Sequence, residues 1–225
     1  MNIIQPKILA ALAVGLFLIG AAQADTTNTF TSVGSLIPDN DPSGIASSTN
    51  LAGISGTVGS VVVSLDVTGG FNGDLYAYLA GPGGFVVLLN RSGVTAANSV
   101  GYGDSGYNIT FSDSAAYNIH SYQADSPTIT GGVLGGAWQP DGRNIDPASS
   151  GSTFDSTSPS TPLSLLNGSS PNGTWTLFIA DMSPGGQATL VSWGLSVVTV
   201  PEPQTWVLVA GGVVTLLALN RRRKL

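Results

Sequence analysis

Cysteine is absent, histidine occurs once, at His120, and between Asp25 and Val200 there is neither lysine nor glutamate. Each absence removes a class of chemistry. Without cysteine there is no thiol nucleophile and no disulfide, so an exported domain must rely on its core, aided at most by metal. One imidazole and no thiolate do not make a zinc site, whose ligands come chiefly from those groups. Serine-type catalysis needs a nucleophile, a base and an orienting acid held together. No G-x-S-x-G motif is present, and His120 sits in the plain stretch Tyr117-Asn118-Ile119-His120-Ser121-Tyr122. The chain reads as non-catalytic, with His120 a hydrogen-bonded structural residue.

Positive charge is equally scarce. Five of the seven basic residues, Lys7, Arg221, Arg222, Arg223 and Lys224, lie near the two termini, leaving Arg91 and Arg143 between. Against these two stand twelve aspartates from Asp25 to Asp181, a net charge of −10. So acidic a surface argues against nucleic acid and anionic lipid as partners. It leaves cations, neutral glycans or basic proteins, with solvation of an extracellular surface accounting for most of the carboxylates.

The two ends carry the targeting signals. Lys7 precedes an apolar run from Ile8 to Ile19, and Ala22-Gln23-Ala24 follows as a small-x-small cleavage pattern. Residues 1–24 are therefore expected to be a signal peptide for the Sec route, a retained N-terminal anchor being the alternative. At the other end come Pro201-Glu202-Pro203, an apolar run from Trp206 to Leu219, and the basic cluster from Arg221 to Lys224. The prolines fix φ and keep Glu202 extended and accessible to a protease. The run is about 14 residues, about 21 Å as a helix. That is a marginal span for a hydrocarbon core of roughly 30 Å, and the cations after it stay on the cytoplasmic side. Residues 200–225 resemble the PEP-CTERM sorting signal of Gram-negative bacteria, an ordinary tail anchor being the alternative. The resemblance implies an exosortase-type membrane protease as partner and a membrane-held intermediate before processing. Its site residues are Pro201, Glu202, Pro203, Arg221, Arg222 and Arg223, with Ala22 and Ala24 marking signal cleavage.

About 176 residues remain between the signals, enough for one core that buries roughly 70% of the unfolded chain's surface. They read as all-β. Ser60–Val67 places Val61, Val63, Leu65 and Val67 on one face, and Leu75–Ala80 alternates with Tyr76 and Tyr78 outward. Gly81-Pro82-Gly83-Gly84 is a hairpin turn returning through Phe85–Leu89. Thr174–Ala180 and Ala188–Val198 are two further strands, joined by a turn at Asp181–Gly186. Tyr107–Phe111 is a weaker strand. Gly131–Pro159 reads as long loops, and no stretch has a helical period. Short strands between glycine-rich turns predict a sandwich or barrel.

Two segments carry a second resemblance. They are F-N-G-D-L-Y-A-Y-L-A-G-P-G-G from Phe71, and S-P-N-G-T-W-T-L-F-I-A-D-M-S-P-G-G-Q-A-T-L-V-S-W-G-L-S-V from Ser170. With Ile37-Pro38-Asp39 and Gly44-Ile45 at the entry, they resemble the P domain (P/Homo B domain) that follows the catalytic domain of proprotein convertases and bacterial subtilisin-like proteases. The resemblance covers residues 36–199 and implies a jelly-roll β-sandwich, with 25–35 as an N-terminal linker. Trp175 and Trp193 are expected in its core, and Gly73 and Gly173 at positive φ. No subtilisin domain accompanies it here. The chain therefore reads as a binding or structural module bound for the cell envelope or extracellular polysaccharide matrix, with polysaccharide or a surface protein as ligand. The alternative is an accessory or regulatory subunit of a separately encoded subtilisin-like serine protease.

Calcium is the expected cofactor. Asp39 and Asp41 lie on a constrained turn, and Asp74 and Asp181 bound strands at the sandwich end, where hard carboxylate and carbonyl oxygens gather. The same carboxylates equally suit Asx-turn capping. Asp141, Asp146 and Asp155 around Arg143 are expected to hold a loop through ion pairs.

Overall fold

The computed structural model describes residues 25–201 and, beyond them, only Gly212. The signal residues Ala22 and Ala24, the tail residues Glu202, Pro203, Arg221, Arg222 and Arg223, and the apolar run apart from Gly212 lie outside the described residues. Among the described residues no helix is long and apolar enough to cross a membrane.

Ten strands form two sheets: β1 Thr26–Ile37, β2 Asp41–Leu51, β3 Thr57–Gly69, β4 Leu75–Gly81, β5 Gly84–Asn90, β6 Gly106–Phe111, β7 Ile129–Thr130, β8 Val133–Trp138, β9 Gly173–Asp181 and β10 Ala188–Val200. One sheet has the order β1-β10-β3-β6-β8-β7 and the other β2-β9-β4-β5. Leaving out β7 and β8, every neighbouring pair is antiparallel. The chain crosses from sheet to sheet at β1–β2, β2–β3, β3–β4, β5–β6, β8–β9 and β9–β10, which is a jelly roll. β8 adds to β6 in parallel, and β7 folds back on β8.

Period-2 patterning builds the core. Val61, Val63, Leu65 and Val67 of β3 face Leu75, Ala77 and Leu79 of β4 and Leu177 and Ile179 of β9, all buried in one cluster. Trp175 and Trp193 fill the space between the sheets. Each indole keeps its N–H satisfied, donating to the Pro171 carbonyl at 2.9 Å and to Ser47 Oγ at 2.9 Å. Tyr76 and Tyr78 point outward, and Tyr78 stacks on Phe178 with ring centroids 4.8 Å apart.

The sandwich is larger than the sequence pattern indicates. Residues 25–35 are not a linker. From Thr26 onward they are β1, paired with β10 from Thr26↔Val198. Up to Val33 its inward positions are Thr27, Thr29, Thr31 and Val33, three of four of them threonine, and only Ile37 at its end is fully buried, so the strand shows no apolar alternation. The stretch 131–159 is not all loop. It contains β8, in which Leu134 and Trp138 are buried and Gly136 between them is exposed, and a short helix, α1 Gly151–Ser156, anchored by buried Phe154. Gly173 does sit at φ 135°. Gly73 does not take a positive φ; its requirement is space, because a Cβ there would run into the Val100 carbonyl and Gly101.

Candidate functional site

The four aspartates expected at a calcium site meet at one end of the smaller sheet. Asp41 and Leu75 both lie opposite Asp181 in the strand register, which puts Asp74 beside them. Their carboxylates then diverge. Asp41 caps its own turn, accepting from the Ser43 N–H at 2.8 Å, and exposed Asp39 accepts from the Gly185 N–H at 3.0 Å. These are the Asx-type uses open to residues in such turns. Asp74 and Asp181 stay buried. One oxygen of Asp181 accepts from the Ser183 N–H at 3.1 Å; the other, Oδ2, is buried with no hydrogen-bond partner.

Arg91 is the cation at this end. It adopts φ 50°, donates through Nε to the Gly73 carbonyl at 3.2 Å, and reaches Ser183 Oγ at 3.0 Å. One guanidinium does not neutralise two buried carboxylates. Burial, then the charge of Asp181, pushes Asp74 up to about 6, with Arg91 pulling the other way. Asp181 is likewise raised, chiefly by burial. Among the described residues no group of three or more His, Cys, Asp or Glu is arranged to hold a metal ion. What the fold offers a cation is therefore the Asp74–Asp181 pair and one orphaned oxygen.

A second buried cluster surrounds the only histidine. His120 Nδ1 lies 2.7 Å from Asp141 Oδ2, and Nε2 lies 3.0 Å from the Val94 carbonyl. Arg143 donates to Asp141 Oδ1 from its backbone N–H at 3.2 Å and from Nη1 at 3.1 Å. The contact to the Val94 carbonyl is a hydrogen bond when Nε2 carries a proton, and Nδ1 faces the carboxylate. The ring also stacks on Phe154, centroids 5.6 Å apart. A His–Asp pair is half of a catalytic triad, but the nitrogen that would face a nucleophile here faces a backbone carbonyl instead. The loop's other acids do not join this ion pair: Asp146 accepts from the Ala148 N–H and Asp155 from the Ala96 N–H.

Asn72 was not legible in the sequence as more than a turn residue. It is fully buried and acts as a hub, accepting from the Gly106 N–H at 2.9 Å and donating to the Gly106 carbonyl and to Tyr122 Oη. The Tyr107 hydroxyl in turn has the Asn72 carbonyl at 3.2 Å and Ser92 Oγ at 3.0 Å as acceptors for its one proton. The nearest signal was its place directly before Gly73-Asp74-Leu75.

No family model matches the chain, and no curated protein matches it. The resemblances to the P domain and to the PEP-CTERM signal therefore rest on the residues quoted for them. Among solved structures, the chain is similar to the crystal structure of the Aeromonas sobria serine protease and chaperone complex, at 18% identity and a TM-score of 0.46, over 80% of this chain and 28% of that one. It is similar also to the serine protease of Aeromonas sobria, at 16% identity and a TM-score of 0.44, over 79% of this chain and 27% of that one. It spans little more than a quarter of the length of either.

Proposed function

We propose that this is an exported, non-catalytic, P-domain-like module that binds or scaffolds, sorted by its C-terminal segment to the cell envelope or polysaccharide matrix. The observation that carries the non-catalytic half is the enclosure of His120, both of whose ring nitrogens are committed to Asp141 and Val94. The sorting half rests on the order of P-E-P, short apolar run and basic cluster, and on where the sandwich ends. β10 closes at Val200 and Pro201 follows directly, so cleavage near Glu202 or Pro203 removes no strand. Export runs through the Sec route with the signal peptide removed after Ala24, and an exosortase-type protease acts on the membrane-held intermediate.

Intact mass of the protein from membrane and from medium tests this reading. A mature form beginning near Asp25 and ending near Pro203 is expected in the envelope or medium. A chain ending at Leu225 in every fraction would make it a membrane-tethered domain instead. Pull-down of a subtilisin-like protease from secreted material would shift the reading to an accessory subunit of that enzyme, the partner that the P-domain resemblance points to.

Within the same reading, the Asp74–Asp181 pair takes calcium, with the remaining ligands drawn from carbonyls and water. Calcium should raise the Tm of the wild-type protein at pH 7.5, EDTA should lower it, and Asp181→Asn should abolish both responses. A Tm indifferent to both reagents would remove the ion from the reading.

A further inference from the structure

Nine of the twelve aspartates from Asp25 to Asp181 accept a hydrogen bond from the protein, most of them in turns or at loop anchors. Asp66 does not. It lies in the middle of β3, a position where aspartate is disfavoured and where no turn needs a cap. Its side chain points to the outer face of the six-stranded sheet, directly opposite Asn108 of β6, itself exposed and opposite Gly135 of β8. The β7–β8 hairpin flanks this row, and together they line a groove of about 540 Å³ with Thr68, Thr128, Thr130 and Val133 on its sides. That lies within the roughly 300–1,000 Å³ of small-ligand clefts.

We propose that this groove is a binding site for a neutral, hydroxyl-rich polysaccharide, read by Asp66 and Asn108 as a side-by-side pair. The inference rests on the binding-module reading above and names where its ligand sits. A vicinal diol offers two donors and two acceptors close together. A carboxylate accepts from such a diol, a neighbouring primary amide both accepts and donates, and the threonine hydroxyls do either. Charge decides against the other ligand classes. Asp66 is the one carboxylate in the groove, so an anionic polymer meets repulsion with no cation to offset it. A polycation finds more than one carboxylate at the Asp39–Asp41 turn, whereas the groove offers it one. Outer neighbours of the groove are uncharged too: Ser64 and Thr110 continue the face opposite Gly194 and Ala137.

Affinity electrophoresis of the full chain in mild detergent tests the site. The gels would hold dextran, a β-1,3-glucan or a galactomannan, with polygalacturonate and polylysine as charged probes. Retardation by at least one neutral polymer is expected. Asp66→Asn and Asn108→Ala should each weaken it by about tenfold or more, without lowering Tm. Ser48→Ala, on the opposite sheet, should leave it unchanged. Retardation by a neutral polymer that both substitutions leave intact would overturn the groove while sparing the binding-module reading. Retardation by polylysine alone would assign the face to a cationic partner and overturn the proposal. No retardation by any neutral polymer would overturn both the groove and the polysaccharide part of the reading.

Discussion

Asp141 and Asp181 are both almost completely buried, 0% and 1% exposed, in a chain whose sandwich has only two arginines. At Asp141 both carboxylate oxygens are matched: His120 on one, the Arg143 backbone and guanidinium on the other. At Asp181 one oxygen accepts a single backbone bond, the other has no partner, and a second buried carboxylate, Asp74, shares the one arginine nearby. Burying a charge is costly unless it is paired and hydrogen-bonded. The Asp141 carboxylate meets that condition and the Asp74–Asp181 pair does not, so removing a carboxylate charge should have opposite consequences at the two.

The largest effect is expected from Asp141→Ala. It leaves the part-buried Arg143 guanidinium without its anion and the His120 ring without its carboxylate partner, and it loosens the 140–161 loop from the 118–122 segment. Loss of a buried ion-pair partner costs about 3–5 kcal/mol, so a large drop in unfolding free energy should appear in denaturant titrations. A loss below about 1 kcal/mol would mean that Asp141 is no anchor. Arg91→Met comes next, at about 1–2 kcal/mol, through its bonds to the Gly73 carbonyl and Ser183. Its loss should be greater at pH 7.5 than at pH 4, because only the ionised pair needs the cation. Equal losses at both pH values would reduce Arg91 to a packing residue.

Removing charge at the second site should go the other way. An aspartate whose pKa is raised on folding favours the folded state while protonated. That contribution is present at low pH and declines as pH climbs from about 4 towards the value of about 6 reached by Asp74. With calcium removed by EDTA, Asp74→Asn should therefore stabilise the protein at pH 7.5, by about 1 kcal/mol once solvent screening is allowed for. The advantage should fade below about pH 4, where the wild-type carboxyl is already neutral. Thermal melts of the two proteins across that range check it; a mutant less stable at pH 7.5 would show that ionised Asp74 is needed where it stands. A strained, under-neutralised pair is the kind of place where stability is given up for binding.

How much of this the sequence revealed depended on what the inward residues were. β3, β4, β9 and β10 were legible because their inward rows are valine, leucine, isoleucine and tryptophan, and the hairpin at Pro82-Gly83 was legible from its turn residues. β1 and β8 were not, because threonine fills most of the half-buried positions of β1 and an exposed glycine separates the two buried residues of β8. The acids were legible as residues but not as arrangements. All four of Asp39, Asp41, Asp74 and Asp181 do reach one end of the sheet, yet side-chain direction, which spacing does not encode, separates two caps from one buried pair. Asn72 was hidden for the same reason: its role is fixed by Gly106 and Tyr122, 34 and 50 residues away.

The smallest expected effect sharpens the first site. Asp146 lies close in sequence to Arg143, and the reading from composition joined it with Asp155 in one ion-paired loop. The structure instead has Arg143 bridged to Asp141 alone among the described carboxylates, with exposed Asp146 capping the Ala148 N–H at 2.8 Å. A solvent-exposed cap of this kind contributes about 0.5 kcal/mol. Asp146→Ala should therefore lower stability only that far, by the same amount in low and high salt, because no ion pair is lost. If its cost approached that of Asp141→Ala, or shrank markedly as salt was added, Asp146 would belong to the charge network after all. The contrast between one well-matched carboxylate and one poorly matched pair would then have to be redrawn around a wider acidic loop.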